Sequence, residues 1–281
     1  MAGPKRGSRG LLFFLPLLVA LAAAQPALAQ LPFYTDDPAV TAPWKAHFEF
    51  FNEYDGLQSS EYPDLRQNTA NFKFQYGLPY GLELDIDAPY LSIYRAADTS
   101  SSSGFGDTDM GVKWNFRKAS PDSHMPGLAA SLYIEFPTGD THNQLGSGLT
   151  DYWLNLAAQE PLSERSRVNL NFGYLFSGNT STGVVGIQTA RGHVYTGGLS
   201  FLHDLNSRWT LGSEVYWGVA NKDVLSRTQL QFMGGGQYTI RSGLSVTFGL
   251  LGGKFTASPR IGGQVGFTLD FADVVKRYKH N

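Results

Sequence analysis

The sequence predicts an all-β chain, a transmembrane antiparallel β-barrel of about 12 strands with both termini periplasmic. Three observations predict it: apolar residues recur at every second position, the alternating segments are long enough to cross a bilayer, and the links between them alternate between long and short. Composition removes the competing classes. The 281 residues include no Cys, so there is no disulfide framework, thiolate metal site or Cys nucleophile. Charged residues make up 16%, below the roughly 25% of an ordinary soluble domain, and the 14% of aromatics is too rich for disorder. No apolar run beyond the N-terminus approaches the about 20 residues that a membrane helix needs. A net charge of -2 leaves no footprint for nucleic acid, so nucleic acid is not an expected partner.

The elements follow in order. Residues 1–29 have the form of a signal peptide: Lys5, Arg6 and Arg9 supply the positive region, Leu11 to Ala24 the apolar run, and Ala27-Leu28-Ala29 the small residues of a cleavage site. Pro16 and Pro26 interrupt the run, which argues against an uncleaved anchor. Removing three basic residues leaves 22 - 3 = 19 Lys and Arg against 24 Asp and Glu, a formal charge of -5. Residues 30–43 are expected to be an extended periplasmic segment that straps or plugs the base, 44–271 the barrel, and 272–281 a periplasmic tail.

Twelve alternating segments fill residues 44–271: Trp44–Tyr54, Gln67–Leu78, Leu82–Tyr94, Gly106–Arg117, Gly127–Thr138, Leu149–Gln159, Arg167–Phe176, Gly192–Asp204, Trp209–Asn221, Thr228–Ile240, Leu244–Gly253 and Arg260–Phe271. In the seventh, Val168, Leu170, Phe172, Tyr174 and Phe176 alternate with Arg167, Asn169, Asn171 and Gly173. Soluble strands average about five or six residues, whereas tilted membrane strands need about nine to eleven. No amphipathic helix is present to cover so much apolar sheet, so lipid must, and closure then satisfies every backbone group. Links of 12, 11, 10, 15, 6 and 6 residues alternate with links of 3, 9, 7, 4 and 3. The long links are expected outside the cell, and an even strand count returns both termini to the periplasm. Aromatics near strand ends, among them Tyr54, Tyr94, Trp114, Trp209 and Tyr238, suit two interfacial girdles.

The polar phase of these strands supplies the candidate site. Expected pore-lining residues are Lys45, Glu49, Lys73, Glu83, Asp85, Asp87, Asp107, Asp109, Lys113, Arg117, Glu135, Asp151, Arg167 and Glu214, joined by Glu53, Arg260 and Asp270. Acids outnumber bases, as a mildly cation-preferring pore or a structural ladder in a narrow one would require. Pairing about a turn near Ser100 would set Glu83 opposite Arg117 and Asp87 opposite Lys113. Asp107 and Asp109 follow the Ser100–Ser103 loop but lack the spacing of an EF-hand, so no metal is assigned and they are taken as lumen residues starting a strand. Pro137-Thr138-Gly139-Asp140 has the character of a strand exit into an external loop. No catalytic residue or cofactor is assigned: Ser200 lies near His193 and His203, but there is no Gly-x-Ser-x-Gly elbow.

Three stretches carry a family resemblance: Pro32-Phe33-Tyr34-Thr35-Asp36-Asp37-Pro38, the run Gly104-Phe105-Gly106-Asp107-Thr108-Asp109-Met110-Gly111-Val112-Lys113, and Glu135-Phe136-Pro137-Thr138-Gly139-Asp140. Together they resemble outer-membrane barrels of the phenol-degradation MetA-pathway family. The resemblance implies a transporter-like barrel of a Gram-negative outer membrane, admitting hydrophobic or aromatic compounds, and brings no binding residue with it. The closing segment Gln264 to Phe271 likewise resembles the signal read by barrel-assembly machinery, which would then be a partner during insertion alongside outer-membrane lipid. The function expected is passive passage of a small-molecule cargo. An outer-membrane lipid or ester hydrolase and a structural or adhesive barrel with a plugged lumen are the alternatives.

Overall fold

The computed structural model describes residues 32–120, 125–177, 192–220 and 228–271. The expected signal peptide, the tail from 272 to 281 and the link at 178–191 lie outside the described residues.

The strands are β1 (Ala46–Gly56), β2 (Asp64–Leu78), β3 (Leu82–Arg95), β4 (Ser102–Phe105), β5 (Thr108–Arg117), β6 (Gly127–Phe136), β7 (Asp151–Pro161), β8 (Ser166–Ser177), β9 (Gly192–Asp204), β10 (Trp209–Ala220), β11 (Gln229–Arg241), β12 (Leu244–Lys254) and β13 (Ile261–Phe271). Each long strand pairs antiparallel with its neighbours, and β1 pairs with both β2 and β13, Ala46 facing Phe271, so the ring of long strands has no open edge. Closure leaves no row of unpaired N–H and C=O groups, as hydrocarbon surroundings demand. Twelve strands form the ring, and β4 is an extra short strand that pairs only with β3, along the stretch beyond the reach of β5.

That extra strand corrects two expectations. The Ser-rich stretch taken as loop forms β4, and the segment taken as one strand from Gly106 breaks at Gly106-Asp107 before β5 begins. The turn is centred before Ser100, at Ala96–Thr99, where the Thr99 N–H donates to the Ala96 carbonyl at 2.9 Å. Arg95 holds it there: its guanidinium donates to Asp64 at 2.7 Å and to the Ser100 carbonyl at 2.8 Å. Each β5 partner of β3 is therefore displaced by four residues, so that Glu83 faces Lys113 rather than Arg117, and Asp87 faces Asp109 rather than Lys113.

Alternation divides the wall as expected. On β8, Leu170 and Phe172 are 50% and 59% exposed on the outer face, while Asn169 and Asn171 are buried inside. Outward aromatics gather near both strand ends, as in the ring pairs Tyr54–Tyr94 at the long-link end and Trp209–Tyr238 at the short-turn end.

Candidate functional site

The lumen is not an empty tube. Residues 32–43 have no ladder partner, so every backbone group they carry inside must be met by a side chain or left unpaired. The wall meets them. Phe33 packs with Leu202, Met233 and Leu251 from β9, β11 and β12. The Thr35 N–H donates to the Glu214 carboxylate on β10. Asn171 on β8 accepts from the Asp36 N–H at 2.5 Å and returns a bond from its amide to the Asp36 carbonyl at 2.8 Å. On the facing wall the Lys113 ammonium pairs with the Asp36 carboxylate at 2.6 Å, Asn115 donates to the Pro38 carbonyl, and the Thr41 N–H donates to Glu83 at 2.5 Å. The segment thus crosses the barrel interior from β8–β12 to β3–β5. Where it passes β9, position 198 is glycine: a Cβ there would come within 2.4 Å of the Thr35 hydroxyl.

A second element closes in from the long-link end. The link between β6 and β7 turns inward, because Asp107 accepts from the backbone N–H of Gly139 at 2.8 Å and of Ser147 at 2.7 Å. Leu145, at its inner tip, packs on Leu91 and Ile93. Between this link and the N-terminal segment lies a cavity of about 300 Å³.

Its lining has an ordered charge pattern. Cross-strand register places Glu49 opposite Lys73, Lys73 opposite Asp87, Asp87 opposite Asp109, Asp109 opposite Glu135 and Glu135 opposite Asp151, so six titratable residues stand in one row on β1, β2, β3, β5, β6 and β7. All six line the cavity. Two residues further along β6 and β7, Tyr133 and Trp153 line it as well, their ring centroids 5.7 Å apart. The Tyr133 ring lies over Gly111 and the Trp153 indole over Gly173, where a Cβ would meet them at 2.3 and 2.5 Å. Phe51, Pro89, Leu91 and Leu175 complete an apolar surround.

The other expected residues are distributed around this cavity. Glu83 accepts from Gln75 at 3.2 Å as well as from Thr41, and Asp85 accepts from the Tyr133 hydroxyl at 2.9 Å. Glu53 accepts from the Tyr34 hydroxyl at 2.7 Å and from Gln264 at 2.9 Å. At the short-turn end Arg117 donates to the Pro126 carbonyl, Arg167 pairs with Asp204 at 3.0 Å, and His47 bridges Asp270 at 2.5 Å and Glu49 at 3.1 Å. Lys45 and Arg260 stand exposed outside the strands. The inward aromatics Phe51, Tyr133 and Trp153 were absent from the expected lining, although their signal was present: each is a large ring on the polar phase of its strand.

Ser200 and the two histidines near it in sequence have separate hydrogen-bond partners. His203 Nδ1 is 2.9 Å from the hydroxyl of Ser166, while Ser200 is hydrogen-bonded to Asn169. The neighbouring carboxylate, Asp204, is engaged by Arg167 and the Thr210 hydroxyl. His193 is bonded to the Tyr174 hydroxyl and packs between the Tyr174 and Phe176 rings. Among the described residues, no group of three or more His, Cys, Asp or Glu side chains is arranged to hold a metal ion.

A family model described as "Putative MetA-pathway of phenol degradation" matches residues 34–271. No curated protein matches the chain. Among solved structures, the COG4313 outer membrane channel from Pseudomonas putida F1 is similar at 17% identity and a TM-score of 0.64, over 84% of this chain and 98% of that one. The NanC porin is similar at 10% identity and a TM-score of 0.55, over 80% of this chain and 100% of that one. The KdgM porin solved with disordered oligogalacturonate is similar at 12% identity and a TM-score of 0.52, over 80% and 99%. The fold is that of these barrels.

Proposed function

Because the chain belongs to the family described as "Putative MetA-pathway of phenol degradation", we propose that it is an outer-membrane channel for passive passage of a small molecule with an apolar or aromatic body. The observation that carries this reading is the cavity of about 300 Å³ held between the N-terminal segment and the inward-turned link. A cavity of that size lies at the lower end of small-ligand pockets and accommodates a compact molecule rather than a polymer. Leu91, Leu175, Phe51 and Trp153 offer such a body apolar surface, which favours it by roughly 25 cal/mol for each Å² withdrawn from water. Passage requires the segment to yield, since it spans the lumen. In this reading the signal peptide is removed on export, the long links face outward, both termini lie in the periplasm, outer-membrane lipid surrounds the barrel, and assembly machinery inserts it.

Planar-bilayer recording tests the proposal. The intact protein should give small conductance steps, and a variant lacking residues 32–41 should give several-fold larger ones. Equal steps from the two would show that the segment does not obstruct the path. An absence of steps from both would defeat the channel reading.

A further inference from the structure

Resting on the reading that outer-membrane lipid surrounds the barrel, and on nothing about what crosses the lumen, we propose that the rim formed by the short turns is a docking collar for anionic phospholipid headgroups. Composition alone would not put positive charge there, because acids outnumber bases in the chain. Yet four of the five short turns carry an exposed base: Lys118 between β5 and β6, Arg165 between β7 and β8, Arg208 between β9 and β10, and Arg241 between β11 and β12. Lys45, also exposed, leads into β1. Among the described residues of this rim, Glu164 is the one acid exposed on a turn. Asp204 is paired with Arg167, and Asp270 with His47. From Lys118 to Arg241 successive bases are two strands apart in the ring, roughly 10 Å at the spacing of paired strands. Two bases so separated do not share one phosphate. The collar is therefore a set of single contacts whose effects add, not one chelating pocket.

The side chains beside these bases set their depth in the bilayer. Trp44 precedes Lys45, Trp209 follows Arg208, and Phe116 lies two residues before Lys118, all three rings being exposed. Arg208 also donates to the Tyr238 hydroxyl at 3.4 Å, and the Tyr238 ring packs on Trp209 with centroids 4.7 Å apart. Interfacial aromatics settle at the level of the headgroups, so long basic side chains rooted next to them reach the phosphates. Ile240 before Arg241, and Leu162 in the turn of Arg165, give the same anchorage on exposed aliphatic surface. The opposite rim is built differently. Its exposed bases Arg66, Lys254 and Arg260 gather on β2, β12 and the approach to β13, while Asp98 and Asp140 are exposed on its links. An anionic leaflet is thus attracted all around the short-turn rim except at the β2–β3 turn, where Tyr80 extends instead, 91% exposed.

The test uses the full processed protein in phosphatidylcholine vesicles and follows quenching of its tryptophans by two brominated lipids, phosphatidylglycerol and phosphatidylcholine of the same acyl chains. Brominated phosphatidylglycerol should associate with the barrel several-fold more strongly at low ionic strength. In molar salt, where the screening length falls to about 3 Å, the preference should vanish. Replacing Lys45, Lys118, Arg165, Arg208 and Arg241 together by Gln should abolish it, and each single replacement should remove a part. Gln at Arg66, Lys254 and Arg260 should leave it in place. Equal association of the two lipids with the unaltered protein overturns the proposal, as does a preference that survives the five replacements or one that the opposite-rim variant removes. If the five-fold variant fails to give a heat-modifiable band, the single variants and the salt response decide. A protein that inserts into no vesicle would sink the reading on which the collar rests; insertion without lipid preference would sink the collar alone.

Discussion

Lys113 is the residue on which wall and segment depend together. Its ammonium is nearly inaccessible and 2.6 Å from Asp36, so removing it strands a carboxylate where water reaches it poorly. Breaking a buried pair from one side costs on the order of 3 kcal/mol, most of it the uncompensated partner. Lys113→Met should therefore release the segment and enlarge the conductance steps, and Asp36→Asn added to it should restore much of the loss by removing the stranded charge. Bilayer recording of the two variants and of the pair checks this as a double-mutant cycle. His47 belongs to the barrel seam instead. It joins β1 to β13 through Asp270 and also meets Glu49, and hydrogen bonds to charged groups contribute about 1.5–3 kcal/mol each. His47→Ala should lower the temperature at which the compact band disappears on SDS gels, while a substitution at exposed Lys45 should leave it unchanged.

At the scale of elements, the three stretches that carry the family resemblance turn out to be one assembly. Asp36 of the first meets Lys113 of the second, Asp109 of the second faces Glu135 of the third, and Asp107 accepts from Gly139. Asp107→Asn would weaken the two charge-assisted bonds that hold the β6–β7 link inward, and proteolytic nicking at residues 139–148 should increase. Asp140 governs the outer turn of the same link. The Asn143 side chain, then the His142 backbone N–H, stabilise its carboxylate and hold its pKa below the ordinary value. A depressed carboxylate contributes order that is fully present above its unfolded pKa and is lost as pH falls through the folded one. The turn should thus persist on acidification through the ordinary carboxylate range and loosen only below it, which hydrogen exchange at His142 and Asn143 would register.

For the whole molecule, closure makes the barrel a single cooperative object: β13 finds β12 on one edge and β1 on the other, so none of the twelve ring strands can leave without breaking two ladders. Unboiled and boiled samples should migrate differently on SDS gels, and co-migration would contradict the closed ring. The architecture was readable along the chain because side-chain direction in a strand has period two, so Val168 to Phe176 or Leu82 to Ala88 announce their faces without any knowledge of neighbours. Acid-rich inward faces followed from the same periodicity. Register did not, because a turn displaced from Ser100 to Ala96–Thr99 moves every partner of β3 on β4 and β5, and that turn is held by Arg95 reaching residues on β2 and in the loop. The row of carboxylates therefore exists only once the strands are aligned. The course of residues 32–43 through the lumen was equally beyond the linear pattern: a segment without alternation has no preferred face, and its path is set by Glu214, Asn171, Lys113 and Glu83, which are separated along the chain and brought around it only by closure. Local alternation decided that a sealed cylinder would form; the pairing of distant strands decided what that cylinder encloses.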